Sequence, residues 1–441
     1  MHVIALPQKY QSWVKPRCLL FREMEKTYQI DADTCLTCKS GRLLCGKPKC
    51  PLLTQLQPKR LNLRLKRIMF GPSPPAIFVG WHGYPRILAG SLVVHDPDSN
   101  QTPSFYGNPR KWYGLPLETI AYYRTSLVRG YTKVKARARV NGKLFEKSQE
   151  VTQSINPVDI EMQFTKTPRM GVVYSAVAQP MGPSAQLKRL DLADNPKIPK
   201  KISYLTEGDV SATAAVTELF NARFEIYYIQ NLFSAGVLGL TPKKRIVPTR
   251  WAITAVDDIL GRYLIREIKK YPSINEFSIY FNEYAGNHLE ILFIPDVWEY
   301  EQLETWTPGT LWTGGAKVPI IIQSYEPYTG LIDYALKEGG GFYGIRFAVV
   351  EALQKMKRQA AALVIREISE EYYLPVGVWL PRENARHALA KPPRKFTTLE
   401  EALRNIQSRL TIPLTEWVRG STLLPKVQQQ KKLIDFLPKN E

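Results

Sequence analysis

The placement of the cysteines constrains this chain more than any other feature. All five (Cys18, Cys35, Cys38, Cys45 and Cys50) fall in the first 50 of 441 residues, and four of them lie within 16 residues. A disulfide framework spreads its bridges over the fold it staples, whereas clustered thiols in a reducing compartment suit a metal. The spacing Cys35-x2-Cys38-x6-Cys45-x4-Cys50 supplies four soft ligands, the set a tetrahedral structural zinc takes. Gly41 and Gly46 give the backbone freedom to fold back, and Lys39, Arg42, Lys47 and Lys49 offset the charge of four thiolates around one divalent ion. A [4Fe–4S] cluster is the rival occupant. A redox dithiol at Cys35 and Cys38 would leave Cys45 and Cys50 without a role. With no coordination position left open, the ion would be structural. Cys18 reads as an ordinary thiol.

Charge narrows the class of partner. The chain carries 60 Lys and Arg against 40 Asp and Glu, a net +20, and residues 1–70 alone hold 14 against 4. Such a density repels itself, and a polyanion relieves it. Nucleic acid leads, an anionic membrane surface is second, and a solvated basic surface with no partner is the bland alternative. The 44% apolar and 23% charged residues are globular values, which excludes wholesale disorder. No apolar run approaches the roughly 20 residues of a membrane span. No charged and then apolar leader follows Met1 either. The expectation is a cytoplasmic, nucleoid-associated protein without a membrane partner.

The pattern of elements is mixed. Leu117–Val128 and Ala252–Ile268 read as helices, the second with Thr249 as N-cap. Ala76–Gly80, Val134–Val140, Val172–Val177, Val318–Ile322 and Val376–Leu380 read as strands. Phe277–Phe281 and His288–Ile294 flank Ala285-Gly286-Asn287, a hairpin signal. Residues 180–208, rich in Pro, Lys and Asp, read as a long surface loop. Tyr343–Glu371 reads as one long helix with Val349, Leu353, Met356, Ala360, Leu363 and Val364 on its apolar face. Leu399–Leu410 reads as a further helix. The alternation is too irregular for a parallel α/β sheet. The expected class is therefore α+β: a mixed multi-strand core with long helices, a small N-terminal four-cysteine zinc knuckle and a flexible C-terminal tail. The expected division is a basic extension at 1–30, the knuckle at 31–55, α+β domains at 56–295 and 296–424, and a tail at 425–441.

The tail carries its own signal. Gln430-x-x-Leu433-x-x-Phe436-Leu437 matches the peptide that binds the sliding clamp, PCNA. One helical turn presents Leu433, Phe436 and Leu437 as an apolar plug, Gln430 can hydrogen-bond at the rim, and Lys431 and Lys432 suit an acidic clamp. Leu437 stands where a second aromatic is common. The bland alternative is a tail that docks on its own domain.

Chemistry is harder to place. The densest basic loop of the core holds Lys243, Lys244, Arg245 and Arg250 ahead of a helix, where free N–H groups favour phosphate; these four are the candidate DNA-backbone contacts. A solvated turn is the alternative. Gly339–Gly341 lacks the Gly-Lys-Ser/Thr ending of a nucleotide loop. Asp257, Asp258 and Glu301 are weak candidates for a carboxylate-based nuclease or glycosylase site. Adjacent aspartates on a helix diverge by about 100°, so one such pair makes no two-metal centre. Whether the chain is an enzyme stays open, and the histidines fit no triad or ligand spacing.

Four stretches together resemble the archaeal Nre DNA repair proteins. They are Cys35-Leu36-Thr37-Cys38 through Cys50-Pro51; Ser73-Pro74-Pro75 with Phe78-Val79-Gly80 and Gly83-Tyr84-Pro85; Leu240 through Asp258; and Arg358-Gln359, Arg366-Glu367-Ile368 and Pro375 through Trp379. The resemblance implies a part in DNA-damage repair, work with the sliding clamp through the C-terminal peptide, and an N-terminal four-cysteine zinc site. It hands over no catalytic mechanism. The chain departs from the pattern in its front, with about 30 residues ahead of the first knuckle cysteine. An RNA-binding or translation-associated zinc protein is a third reading, against which the clamp peptide argues.

Overall fold

A computed structural model describes residues 65–95, 101–137, 141–169, 181–308, 318–331, 333–335 and 339–429. The four knuckle cysteines and Gln430, Leu433, Phe436 and Leu437 lie outside the described residues, as does the strand expected at Val172–Val177. The chain divides into two compact units. One holds the described residues up to Tyr263 together with Leu374–Glu383; the other holds Leu264–Tyr373 and the residues from Asn384 onward. Each is built on a six-stranded sheet with helices, so the α+β class is observed.

The first unit contains β1 (Ile68–Ser73), β2 (Ile77–Val79), β3 (Arg86–Val94), β4 (Leu127–Lys135), β5 (Val158–Phe164) and β6 (Ser184–Leu192), ordered β1-β5-β6-β4-β3-β2. Its helices are α1 (Leu117–Thr125), α2 (Lys143–Gln153), α3 (Lys200–Glu207), α4 (Ala212–Asn221), α5 (Ile226–Ala235) and the start of α6 (Thr249–Ile268). Period-2 alternation shapes the sheet. Met69, Val93, Val128, Ile160, Met162, Phe164, Leu187 and Leu190 form one buried face with Val151 of α2. Much of the opposite face is solvated: Phe70 is 63% exposed, and Leu88, Lys133 and Lys135 are exposed too, while Val94 and Leu127 at its far end are buried.

The second unit contains β7 (Phe277–Tyr284), β8 (Asn287–Ile294), β9 (Glu299–Trp306), β10 (Ile322–Glu326), β11 (Ala361–Ile368) and β12 (Arg394–Phe396), ordered β10-β9-β11-β8-β7-β12. Strand β11 runs parallel to β9 and antiparallel to β8. Every residue of β8 and β11 is buried, as befits central strands covered on both faces. One face packs on α9 (Leu399–Gln407), α10 (Leu414–Gly420) and α11 (Leu423–Gln429) through Ala402, Leu403, Ile406, Trp417 and Leu424. On the other, Tyr300 meets Phe342 of α7 (Gly340–Met356) edge to face at 5.0 Å. No described helix is long and apolar enough to cross a membrane.

Several expectations are corrected. The helix expected to run to Glu371 ends at Met356, because Lys357 turns left-handed (φ 52°) and the chain returns as β11. Leu363 and Val364 therefore lie in β11, and Ala360 is buried just ahead of it. Residues 180–208 are not a loop but contain β6 and α3. The helix from Leu117 stops at Thr125, where β4 takes over. Val376–Leu380 leads into α8 (Trp379–Leu389) rather than forming a strand, and the strand expected at Val318–Ile322 begins only at Ile322. The hairpin at Ala285-Gly286 is as expected: both residues have positive φ (50° and 68°), which a two-residue type I′ turn requires.

Candidate nucleic-acid interface

In the first unit, backbone hydrogen bonds gather three segments. Gly80 N–H donates to Leu88 O at 2.8 Å, closing the β2–β3 turn that carries Trp81, His82, Gly83, Tyr84 and Pro85. Ala136 N–H, just past β4, donates to Pro85 O at 2.8 Å, and Ile246 N–H of the basic loop donates to Ala136 O at 3.0 Å. The loop is anchored from behind as well. Val247 N–H donates to Ser234 O at 3.0 Å, and Ser234 Oγ donates to Val247 O at 2.8 Å. Gly236 ends α5 in the left-handed conformation (φ 70°), and a Cβ there would lie 2.7 Å from the Arg245 backbone. Only glycine suits both demands.

Two of the four expected DNA contacts, Lys243 and Arg245, are exposed, and Arg250 is half-buried in the first turn of α6. Lys244 turns inward and donates its Nζ to the carbonyl of Thr206 at the end of α3. Burial holds its pKa below the ordinary lysine value, with Glu207 opposing. Thr249 does not cap α6 with its side chain. Its Oγ1 accepts from Val79 N–H at 2.8 Å, tying β2 to the helix.

Register adds residues that the sequence did not single out. On β3 and β4, Arg86 stands opposite Lys135, and Leu88 opposite Lys133. All four are exposed on the solvated face, and Arg137 follows, exposed, just beyond. None of these cations has an ion-pair partner among the described residues. Beside them, Tyr84 leans on Trp251 with ring centroids 5.1 Å apart, and Trp81 stacks on His82 at 3.8 Å and 28°.

The candidate carboxylates are engaged structurally. Both oxygens of Asp257 accept from Arg382 Nη1 at 2.6 Å, and Gln230 Nε2 donates to Oδ1 at 3.1 Å, all within a buried cluster. Asp258, one position on, points outward to Arg262 at 2.9 Å. Glu301 belongs to the other unit. It accepts from Gln323 Nε2 at 2.7 Å, Thr422 N–H at 2.6 Å, Leu423 N–H at 3.2 Å and the Ser421 hydroxyl, capping the start of α11. Gly339 precedes α7, and Arg346 behind it pairs with Glu326 at 2.6 Å in the core. Among the described residues no group of three or more His, Cys, Asp and Glu side chains is placed to hold a metal ion.

Fold and surface together define a two-unit α+β protein whose first unit presents a basic, aromatic-flanked face. Comparison with known proteins extends this. A family profile described as Archaeal Nre, N-terminal, matches residues 44–313, and one described as Archaeal Nre, C-terminal, matches 326–436. The chain is 35% identical over 406 residues to DNA repair protein NreB of Archaeoglobus fulgidus, covering 91% of this chain and 100% of that one. It is 37% identical over 377 residues to DNA repair protein NreA of the same organism (85% and 93%). To NreA of Haloferax volcanii it is 36% identical over 379 residues (83% and 89%). No solved structure gives a significant match. The chain belongs to the archaeal Nre family of DNA repair proteins.

Proposed function

We propose that this protein is a DNA-damage repair factor that holds DNA on the basic face of its first unit and is brought to the PCNA sliding clamp by its C-terminal peptide. The observation that carries the DNA reading is Arg86 opposite Lys135. Like charges directly opposite on antiparallel strands repel. Lys133 on the same face adds to that repulsion, and no carboxylate among the described residues pairs with any of the three. The negative charges of a phosphate backbone relieve it, and release of the counterions condensed on that backbone favours binding. Lys243 and Arg245 extend the face through the backbone bridge at Ala136. The relatives named DNA repair proteins support the same reading. DNA affinity should fall steeply with salt, with a log–log slope of about −0.9 per phosphate contacted in duplex DNA. A flat response measured by fluorescence anisotropy would refute it.

Two further parts of the proposal rest on sequence. Cys35, Cys38, Cys45 and Cys50 form a complete thiolate donor set, which fits a tetrahedral ion that orders the knuckle. Metal analysis should find one zinc per chain, lost on Cys45→Ser; iron in its place would mark a cluster. Gln430, Leu433, Phe436 and Leu437 form the clamp plug. Deleting 428–441, or Phe436→Ala, should abolish clamp binding and leave the melting temperature unchanged. Undiminished clamp affinity would remove that assignment. The alternative of a nuclease or glycosylase draws no support from Asp257, Asp258 and Glu301, each held in an ion pair or a helix cap.

A further inference from the structure

We infer that the Trp81–His82 stack is a platform for an unpaired base, so that the basic face of the first unit favours single-stranded over duplex DNA. The inference rests on the DNA reading above and goes beyond it in naming the strand state. Trp81 is 42% exposed, more than any other tryptophan among the described residues. His82 covers one side of its indole at 3.8 Å, and among the described residues no other ring contacts it. An indole left half in water gains by covering its second face with another flat ring.

The platform is built rather than loose. Gly80 N–H to Leu88 O closes the turn, Tyr84 N–H donates to Trp81 O at 3.3 Å, and Arg86 N–H donates to Gly83 O at 2.8 Å. Gly83 adopts φ 75°, and a Cβ there would meet Arg86 O at 2.9 Å. Tyr84 is held against Trp251. Little ordering is then left to do on binding.

Charge and ring together select the ligand. The cations of Arg86, Lys133 and Lys135 begin one residue past the turn and call for a polyanion. In a duplex the faces of the bases are already stacked on one another, so an exposed indole finds no partner there. In a single strand every base has a free face, and stacking on aromatic residues beside a positive track is the usual mode of recognition.

The test measures affinities of the full chain for oligo-dT and for a duplex of equal length at low salt. Trp81→Ala should weaken oligo-dT binding about ten-fold or more and change duplex binding little. Trp81→Phe should keep most of the affinity, and oligo-dT should quench tryptophan fluorescence in the wild type but less in that variant. A Trp81→Ala protein that melts normally and binds oligo-dT as tightly as wild type overturns the inference. So does one that loses single-strand and duplex affinity equally. In either case, loss of duplex binding on Arg86→Glu would leave the broader DNA reading standing. Failure of the wild type to bind either DNA overturns both.

Discussion

Arg382 holds Asp257 in the core of the first unit, with Nη1 2.6 Å from each carboxylate oxygen and both side chains fully buried. The guanidinium also lies over the Tyr227 ring at 4.8 Å, and the Tyr227 hydroxyl donates to Glu383 at 2.8 Å. The pair therefore fastens the segment Leu374–Glu383 to helices α5 and α6. Removing one member of a buried pair strands the other charge, at about 3–5 kcal/mol. Asp257→Ala should lower unfolding free energy by that amount in urea titration. Asp257→Leu combined with Arg382→Met should recover most of it, since an apolar pair of similar volume has no charge to desolvate. A loss below about 1 kcal/mol for the single variant would show that Asp257 is not needed for folding, and would reopen its candidacy for chemistry.

Glu301 makes a different prediction. Its carboxylate accepts from two N–H groups and a hydroxyl at the start of α11. A carboxylate in that place also suits the positive end of a helix. Glu301→Ala should cost about 1–3 kcal/mol by leaving those donors unmatched. Hydrogen exchange should quicken first at residues 421–429. If Glu301 served catalysis, the variant would melt normally and lose only turnover.

Local signals were readable where one or two residues decide the geometry. Ala285-Gly286 could only be a tight turn, and Thr249–Ile268 was visible as a helix within a few residues of its observed start. Ala361–Ile368 was misread because a strand buried on both faces loses its period of two, and an apolar run then fits a helix as well. The lone left-handed Lys357 that separates α7 from β11 leaves no mark in composition. Strand β6 was hidden by its polar outer face, since Ala185, Leu187, Leu190 and the partly buried Leu192 alone carry its apolar side among otherwise polar residues. The candidate site was legible only in its loop. Arg86 and Lys135 are almost 50 positions apart, and their opposition exists only once β3 and β4 pair. The exposure of Trp81 is likewise a tertiary fact.

His288 links the second unit to pH. Its Nε2 lies 2.8 Å from Glu290 Oε1 and its Nδ1 3.4 Å from Glu283 Oε2. Burial works to lower its pKa, but the two carboxylates, Glu290 first, outweigh burial and leave it raised above 6.5. A histidine raised on folding contributes stability that is full below its unfolded pKa and lost as pH climbs through the folded value. The urea midpoint should therefore fall as pH climbs above about 6.5, the ordinary histidine value. Glu290 keeps its ion pair with Arg409 at 2.6 Å throughout, so the fall should be partial. His288→Gln should flatten this part of the profile. A wild-type midpoint that rises over that range would contradict the assignment.

The opposition of Arg86 and Lys135 sets stability against binding, and the two can be separated by one substitution. Lys135→Glu would place an acid opposite Arg86 at a pairing position where cross-strand charges meet. Repulsion becomes attraction, a gain of a fraction of a kcal/mol up to about 1 for an exposed pair. The melting temperature should rise by about 2 °C at low salt, and the rise should shrink as salt screens the pair. DNA affinity should drop in the same protein, because a cation is lost and an anion now faces the phosphates. Arg86→Glu with Lys135 retained should behave alike, whereas Arg86→Glu combined with Lys135→Glu restores a like-charge pair and should lose the thermal gain. A surface kept for solubility alone would show the first effect without the second. Unaltered DNA affinity in Lys135→Glu would therefore take this face out of the DNA interface, whatever happens to the melting temperature.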